Sequence, residues 1–187
     1  NGCGKSTLFN IMTKNLKPLS GGVYLENTDI RDIRLRDFAK KVAIVHQYNH
    51  APNDIKVKDL VAYGRTPYAS AYRKSSDEDE KAVEWAMKTT NVYRYRERAI
   101  STLSGGQQQR VWIAMALAQK TGILFLDEPT THLDIHYQIQ ILNLVRTLNR
   151  DFGMTVAMVL HDISQAIHYS DMIIGLKDGG GVVQGEA

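Results

Sequence analysis

Two carboxylates, Asp127 and Glu128, follow directly on four consecutive apolar residues, Ile123, Leu124, Phe125 and Leu126. That pattern is a buried parallel strand delivering acid to its carboxyl end, the edge at which α/β sheets hold ligands. The amino terminus supplies a matching chemistry. Asn1, Gly2, Cys3, Gly4, Lys5, Ser6 and Thr7 match the back of the phosphate-binding loop G-x-x-x-x-G-K-[ST], with the opening glycine lying before residue 1. In such a loop the backbone amides wrap a β-phosphate, Lys5 reaches the β and γ oxygens, and the Ser6 hydroxyl ligates Mg²⁺. A second anion site is written into residues 103–107. Gly105 and Gly106 let the backbone turn into a helix whose first amides are free, and Ser104 is a good N-cap. Cys3 sits beside Lys5 at a helix start, a setting that lowers a thiol pKa.

These groups need a scaffold of short buried strands. Val42, Ala43, Ile44 and Val45 form one, ending at His46 and Gln47, so that Gln47 reaches the same ligand edge as Asp127. Residues 155–160 form another, with His161 and Asp162 at its carboxyl end, and residues 172–176 a further one that a turn at 177–181 sends back through Val182 and Val183. A short strand is expected at Val23, Tyr24 and Leu25, and residues 31–41 read as a solvated connection.

Between Gln47 and Ile123 the patterns are helical. Residues 59–63 make a helix that should break at 64–67. Residues 76–90 make another, with Asp77, Glu78, Asp79 and Glu80 as a solvated acidic start favoured by the helix dipole. The helix after the phosphate loop should bury Leu8, Phe9, Ile11 and Met12 and end near Pro18. The helix after Asp134 carries Ile135, Ile139, Leu142, Val145 and Leu148 at core spacing. The expected architecture is one α/β domain over residues 1–187, with residues 1–47 and 123–187 as the core and about 48–122 as an inserted helical subdomain, cut at both ends.

Composition excludes several classes. At 187 residues and 43% hydrophobic content, the chain buries roughly 70% of its unfolded surface. A net charge of +3 sets up no global basic field demanding nucleic acid. In residues 93–98 tyrosines alternate with arginines, but Glu97 interrupts them and a solvated face is the expectation. A lone cysteine rules out an internal disulfide and fits a reducing compartment. No apolar run approaches the ~18 residues of a membrane span.

The phosphate loop at residues 1–7, Gln47, the Leu103-Ser104-Gly105-Gly106-Gln107 signature, Asp127-Glu128, the turn at residues 131–134 and His161 stand in one order along the chain. In this the sequence resembles the ATP-binding subunits of ABC (ATP-binding cassette) transporters. The resemblance implies a P-loop NTPase fold and the cofactors ATP and Mg²⁺, with Ser6, Gln47 and Asp127 at the metal. Glu128 is implied as general base, with Gln47, Lys5 and the switch histidine His161 beside it. It further implies that Ser104, Gly105, Gly106 and Gln107 serve the ATP held by a second ATPase subunit in a head-to-tail dimer, and that Asp134, at the end of the turn at residues 131–134, is also a nucleotide-binding residue.

Residues 61–68, the Thr130-Thr131-His132-Leu133-Asp134 turn and Leu160-His161-Asp162 are similar to those of importers of ferric siderophores, haem and vitamin B12. Among these, iron-siderophore uptake is the expectation. It places the chain on the cytoplasmic face of a membrane through a transmembrane permease, which residues 64–68 and the groove beside Gln47 would receive, with a substrate-binding protein as an indirect partner and no nucleic acid. A soluble ATPase of the same family acting on ribosomes or DNA would share the ATP residues, but lacks the usual paired cassettes or coiled-coil insert here. A non-hydrolysing dimerisation module is disfavoured by Glu128 and His161.

Overall fold

The computed structural model describes residues 3–69, 76–177 and 180–186. Its centre is a parallel sheet in which β3 (Val42–Val45), β4 (Ile123–Asp127) and β5 (Thr155–Val159) lie side by side in that order. Val42 pairs with Ile123 and Val45 with Leu126, while Ile123 pairs with Thr155 and Asp127 with Val159. The three strands therefore end together. Side chains alternate across the pleat. Ala43, Val45, Leu124 and Leu126 enter one buried cluster, with Val156 and Met158 packed on it; Val42 and Phe125 enter another, joined by Ile44, Ala157 and Val159. Both faces are covered, which explains why these strands read as unbroken apolar runs.

The first cluster receives α5 (Gly105–Ala118) and α6 (Ile135–Arg150), and also α3 (Val57–Ala62) and α4 (Asp77–Thr89). The second receives Phe9 from α1 (Lys5–Met12) and Phe38 from α2 (Leu35–Phe38). β1 (Tyr24–Leu25) and β2 (Thr28–Asp29) form a two-strand ribbon, and α7 (Ile163–Tyr169) leads into the antiparallel hairpin of β6 (Met172–Lys177) and β7 (Gly180–Glu186). Of the turn expected between them, Asp178 and Gly179 lie outside the described residues.

Several expectations are corrected. α1 stops at Met12, well before Pro18, and Leu8 is exposed. The first helix turns of α6 leave Ile135 and Ile139 exposed, and the buried stripe is Ile141, Leu142, Leu144, Val145 and Leu148. The stretch 31–41 contains α2, whose Phe38 is core. The chain does not break after α3: residues Tyr63–Tyr68 continue it as a 3₁₀ helix, because buried Gly64 lets that turn lie against the backbone of α5. In residues 93–98 the arginines stack on the segment's own tyrosines, Arg96 over Tyr93 at 4.6 Å and Arg94 over Tyr95 at 4.7 Å. Glu97 there pairs with Lys56 and Lys58.

Nor is the acidic start of α4 wholly solvated. Asp79 completes a capping box with Ser76 and accepts from Arg65 Nε at 2.8 Å. Arg65, 9% exposed, also donates to the Ala118 carbonyl at 2.8 Å, and Tyr68 donates to the Gln119 carbonyl. Together they satisfy carbonyls at the end of α5 that no helical partner could reach. The Arg65 hydrogen bond, followed by the Ser76 N–H, pulls the Asp79 carboxyl from 3.8 to about 2. Because the folded pKa is depressed, this stabilisation is complete above 3.8 and is lost as pH falls through about 2. Urea-unfolding midpoints measured from pH 5 down to pH 2 should drop over that window, as measured against Asp79→Asn, in which the Asp79 share of the drop disappears.

Candidate functional site

Because β3, β4 and β5 end in register, the residues just past them meet. Gln47, two residues beyond β3, donates from Nε2 to Glu128 Oε2 at 2.6 Å across a separation of 81 residues. His161 Nε2 stands 2.5 Å from Glu128 Oε1. Thr131 Oγ donates to Glu128 Oε2 at 3.1 Å. Glu128 itself is nearly covered, its side chain 10% exposed against 45% for His161. Asp127 ends β4 with Oδ1 buried and, among the described residues, without a hydrogen-bond partner. Burial raises its pKa, and the neighbouring Glu128 charge adds to this, while His46 and His161 oppose it.

The phosphate loop faces this group. Gly4, at φ +93, turns the chain into α1, a backbone conformation that suits glycine. Cys3, Gly4, Lys5, Ser6 and Thr7 line a cavity of about 170 Å³ whose other wall is Glu128 and His161. Its lining of a lysine, two hydroxyls and the amides at the start of α1 suits an anion such as phosphate. A larger cavity of about 520 Å³, between Arg65, Trp85 and Lys120, contains none of the residues marked for chemistry. Asn1 and Gly2 lie outside the described residues.

Lys5 Nζ donates to Cys3 Sγ at 3.3 Å, and this bond lowers the thiol pKa. Complete alkylation of Cys3 is expected to block ATP binding, and ATP should slow the labelling. Undiminished ATP affinity in fully labelled protein would exclude a place for Cys3 at the nucleotide.

The 103–107 turn is elsewhere. Ser104 Oγ accepts from Gln107 N–H at 3.4 Å and Gln107 Oε1 accepts from Ser104 N–H at 3.0 Å, a capping box that leaves the Gly105 and Gly106 amides at the helix start. Gly106 is needed for contact, since a Cβ there would lie 2.5 Å from the Tyr137 ring. None of these residues lines the phosphate cavity. Asp134 caps α6 by accepting from Tyr137 N–H. His136 and His168 are exposed; His136 meets Gln140 and Tyr137 of its own helix, while His168 meets Ser164 of its own helix and its carbonyl accepts from Arg146 of α6. Sequence reasoning missed the Thr131 contact with Glu128; the only local signal is a hydroxyl three residues after a carboxylate.

Residues 1–131 match the ABC transporter family. The chain is 46% identical over 187 residues to the iron(3+)-hydroxamate import ATP-binding protein FhuC of Bacillus subtilis, covering 100% of this chain and 70% of that relative. It is 44% identical over 185 residues to the ferric enterobactin transport ATP-binding protein FepC of Escherichia coli, covering 99% of this chain and 68% of that one. An ATP-binding cassette solved as a dimer in a post-hydrolysis state, bound to ADP and Pi, superposes with a TM-score of 0.80 at 32% identity, over 98% of this chain and 81% of that chain.

Proposed function

Since this chain belongs to the ABC transporter family, we propose that it is the ATP-hydrolysing subunit powering an importer of iron-siderophore complexes. The observation carrying the chemistry is the phosphate cavity with Lys5 on one wall and a covered carboxylate, Glu128, on the other. Lys5 and the amides of residues 4–7 bind and orient the terminal phosphates. Glu128 takes a proton from the attacking water, and His161 beside it holds water and γ-phosphate in register.

The residues present fit Mg²⁺. Asp127 Oδ1 is a buried oxygen with no hydrogen-bond partner among the described residues, and a hard cation binds carboxylate oxygens. Ser6, Asp127 and Gln47 are the residues to hold it. Bound there, the ion supplies charge neutralisation on the phosphates. Gln47 donates to Glu128, the residue next to Asp127.

The Ser104–Gly106 amides serve the nucleotide of a second ATPase subunit, head to tail. Two features support this: they do not line the chain's own cavity, and a similar cassette forms a dimer. The iron-chelate substrate class rests on the two relatives, named for iron(3+)-hydroxamate import and ferric enterobactin transport, at nearly equal identity. Among the described residues no helix is long and apolar enough to cross a membrane. The likeness to import and transport ATP-binding proteins supports a permease partner, with this subunit peripheral on its cytoplasmic side. The test is affinity purification from detergent-solubilised membranes. A polytopic permease should accompany the subunit, and binding protein loaded with an iron chelate should stimulate ATP turnover. Recovery of ribosomes or DNA in place of a membrane protein would overturn the transport role while leaving the ATPase chemistry.

A further inference from the structure

The cavity of about 520 Å³ between the 3₁₀ turn at Tyr63–Tyr68, α4 and the end of α5 shares no lining residue with the phosphate cavity. Its volume lies within the roughly 300–1,000 Å³ of sites that take a small organic molecule. Two cations stand on aromatic rings in its wall. The guanidinium carbon of Arg65 lies 3.9 Å from the centre of the Tyr68 ring, and Lys120 Nζ lies 3.2 Å from the centre of the Trp85 ring. Tyr68 is fixed by donating to the Gln119 carbonyl at 2.8 Å, and Trp85 by a T-shaped contact with Phe152, 5.4 Å between ring centres. The wall is therefore held in place by the fold itself.

The cations are not balanced alike. Arg65 is paired with Asp79. Among the described residues neither Lys81 nor Lys120 is paired with a carboxylate, and Glu84, three residues on from Lys81, is taken by Lys88. Glu78 is the one carboxylate in the lining and is itself unpaired there, so two lysines against one acid leave one positive charge. Lys120 is also placed at a cost. It is the first residue past α5 and has φ +55, a left-handed position that favours glycine. What lysine adds there is an ammonium over Trp85, and partial burial, followed by the Arg65 charge, lowers its pKa. An anion in the cavity would offset that charge, while Ala82 and the Trp85 ring would cover an apolar body. A single surplus charge suits a carboxylate better than a phosphate group, which carries nearly two.

We propose that this cavity is a binding site for a small aromatic carboxylate, with Lys120 and Lys81 taking the charge and Trp85 and Ala82 the flat apolar body. The site is separate from the nucleotide and uses none of the groups assigned to hydrolysis.

The test uses the full-length subunit saturated with ADP, so that the nucleotide site is filled, and naphthoate as the probe in equilibrium dialysis. Naphthylmethanol presents the same body without the charge, and inorganic phosphate the charge without the body. Naphthoate should bind saturably at one equivalent, with the alcohol about tenfold weaker or more, the loss expected for a hydrogen bond to a charged group. Lys120→Met should weaken naphthoate about tenfold and the double variant with Lys81→Met further, whereas Lys120→Arg, which keeps the charge, should stay within about threefold. Absence of saturable naphthoate binding overturns the site, and so does equal affinity in wild type and Lys120→Met. Equal affinity for the alcohol overturns the carboxylate, and displacement of naphthoate by phosphate at equal affinity overturns the aromatic body.

Discussion

Glu128→Gln should lose ATP turnover by about 10²–10⁴, the contribution of a positioned general base, while binding of ATP persists and nucleotide-bound dimer accumulates. The geometry makes the substitution informative. Glutamine has nearly the same shape and can still accept from Thr131, so the loop should not rearrange. What disappears is the capacity to take a proton from water. Single-turnover hydrolysis together with sizing of the ATP-bound species measures both halves. Turnover at the wild-type rate would remove Glu128 from the role, and lost turnover accompanied by lost ATP binding would point to damage at the phosphate loop.

Gly64→Ala should be the most damaging of the small substitutions. A Cβ at Gly64 would lie 2.1 Å from the Met115 carbonyl oxygen and 3.0 Å from Ala118 Cβ. The obstacle is backbone, so relief requires α5 to separate from the 3₁₀ turn at Tyr63–Tyr68. That movement strains the bond from Arg65 to the Ala118 carbonyl and opens the cluster around Ile113 and Leu117. Overpacking of this kind costs about 3 kcal/mol, and for a chain of this size that is a fall in Tm of roughly 6–12 °C. Gly122→Ala is the control, because a Cβ there meets nothing within 4 Å. Thermal unfolding of the two side by side decides the matter, and equal Tm values would show that Gly64 is not tightly packed. The segment 64–68, expected from resemblance to receive a permease, thus has a packing role through Gly64 and Arg65, while Thr66 within it and Tyr63 just before it are exposed.

The parts of the fold legible in the sequence are those whose signal is local. The runs 42–45 and 123–127 are apolar throughout because both sheet faces are buried, and they emerge as β3 and β4. Ser76, Ser104, Asp134 and Asp162 each precede a helix and each accepts from an amide in its first turn. Elsewhere the local signal was insufficient. Ile135 and Ile139 continue an apolar helical period, yet both side chains are exposed, so periodicity overstated the core. Phe38 sits among charges and is buried because Phe9 and Phe125 stand across from it. The short strand expected at residues 23–25 emerges as β1, whereas its partner β2 is too short to carry an alternation.

The sequence by itself determined which chemical groups are available and where each sits along its own element: a lysine and a serine opening a helix, two acids ending one strand, a glutamine and a histidine ending others. Tertiary structure alone decided which of them touch. The parallel register of β3, β4 and β5 brings Gln47 and His161 onto the two oxygens of Glu128, and the turn after β4 adds Thr131. The physical reason is that helix caps and apolar periods are encoded by neighbours a few residues apart. Contact between Gln47 and Glu128 depends instead on strand pairing over the whole sheet, where a shift of one residue would turn every side chain to the opposite face.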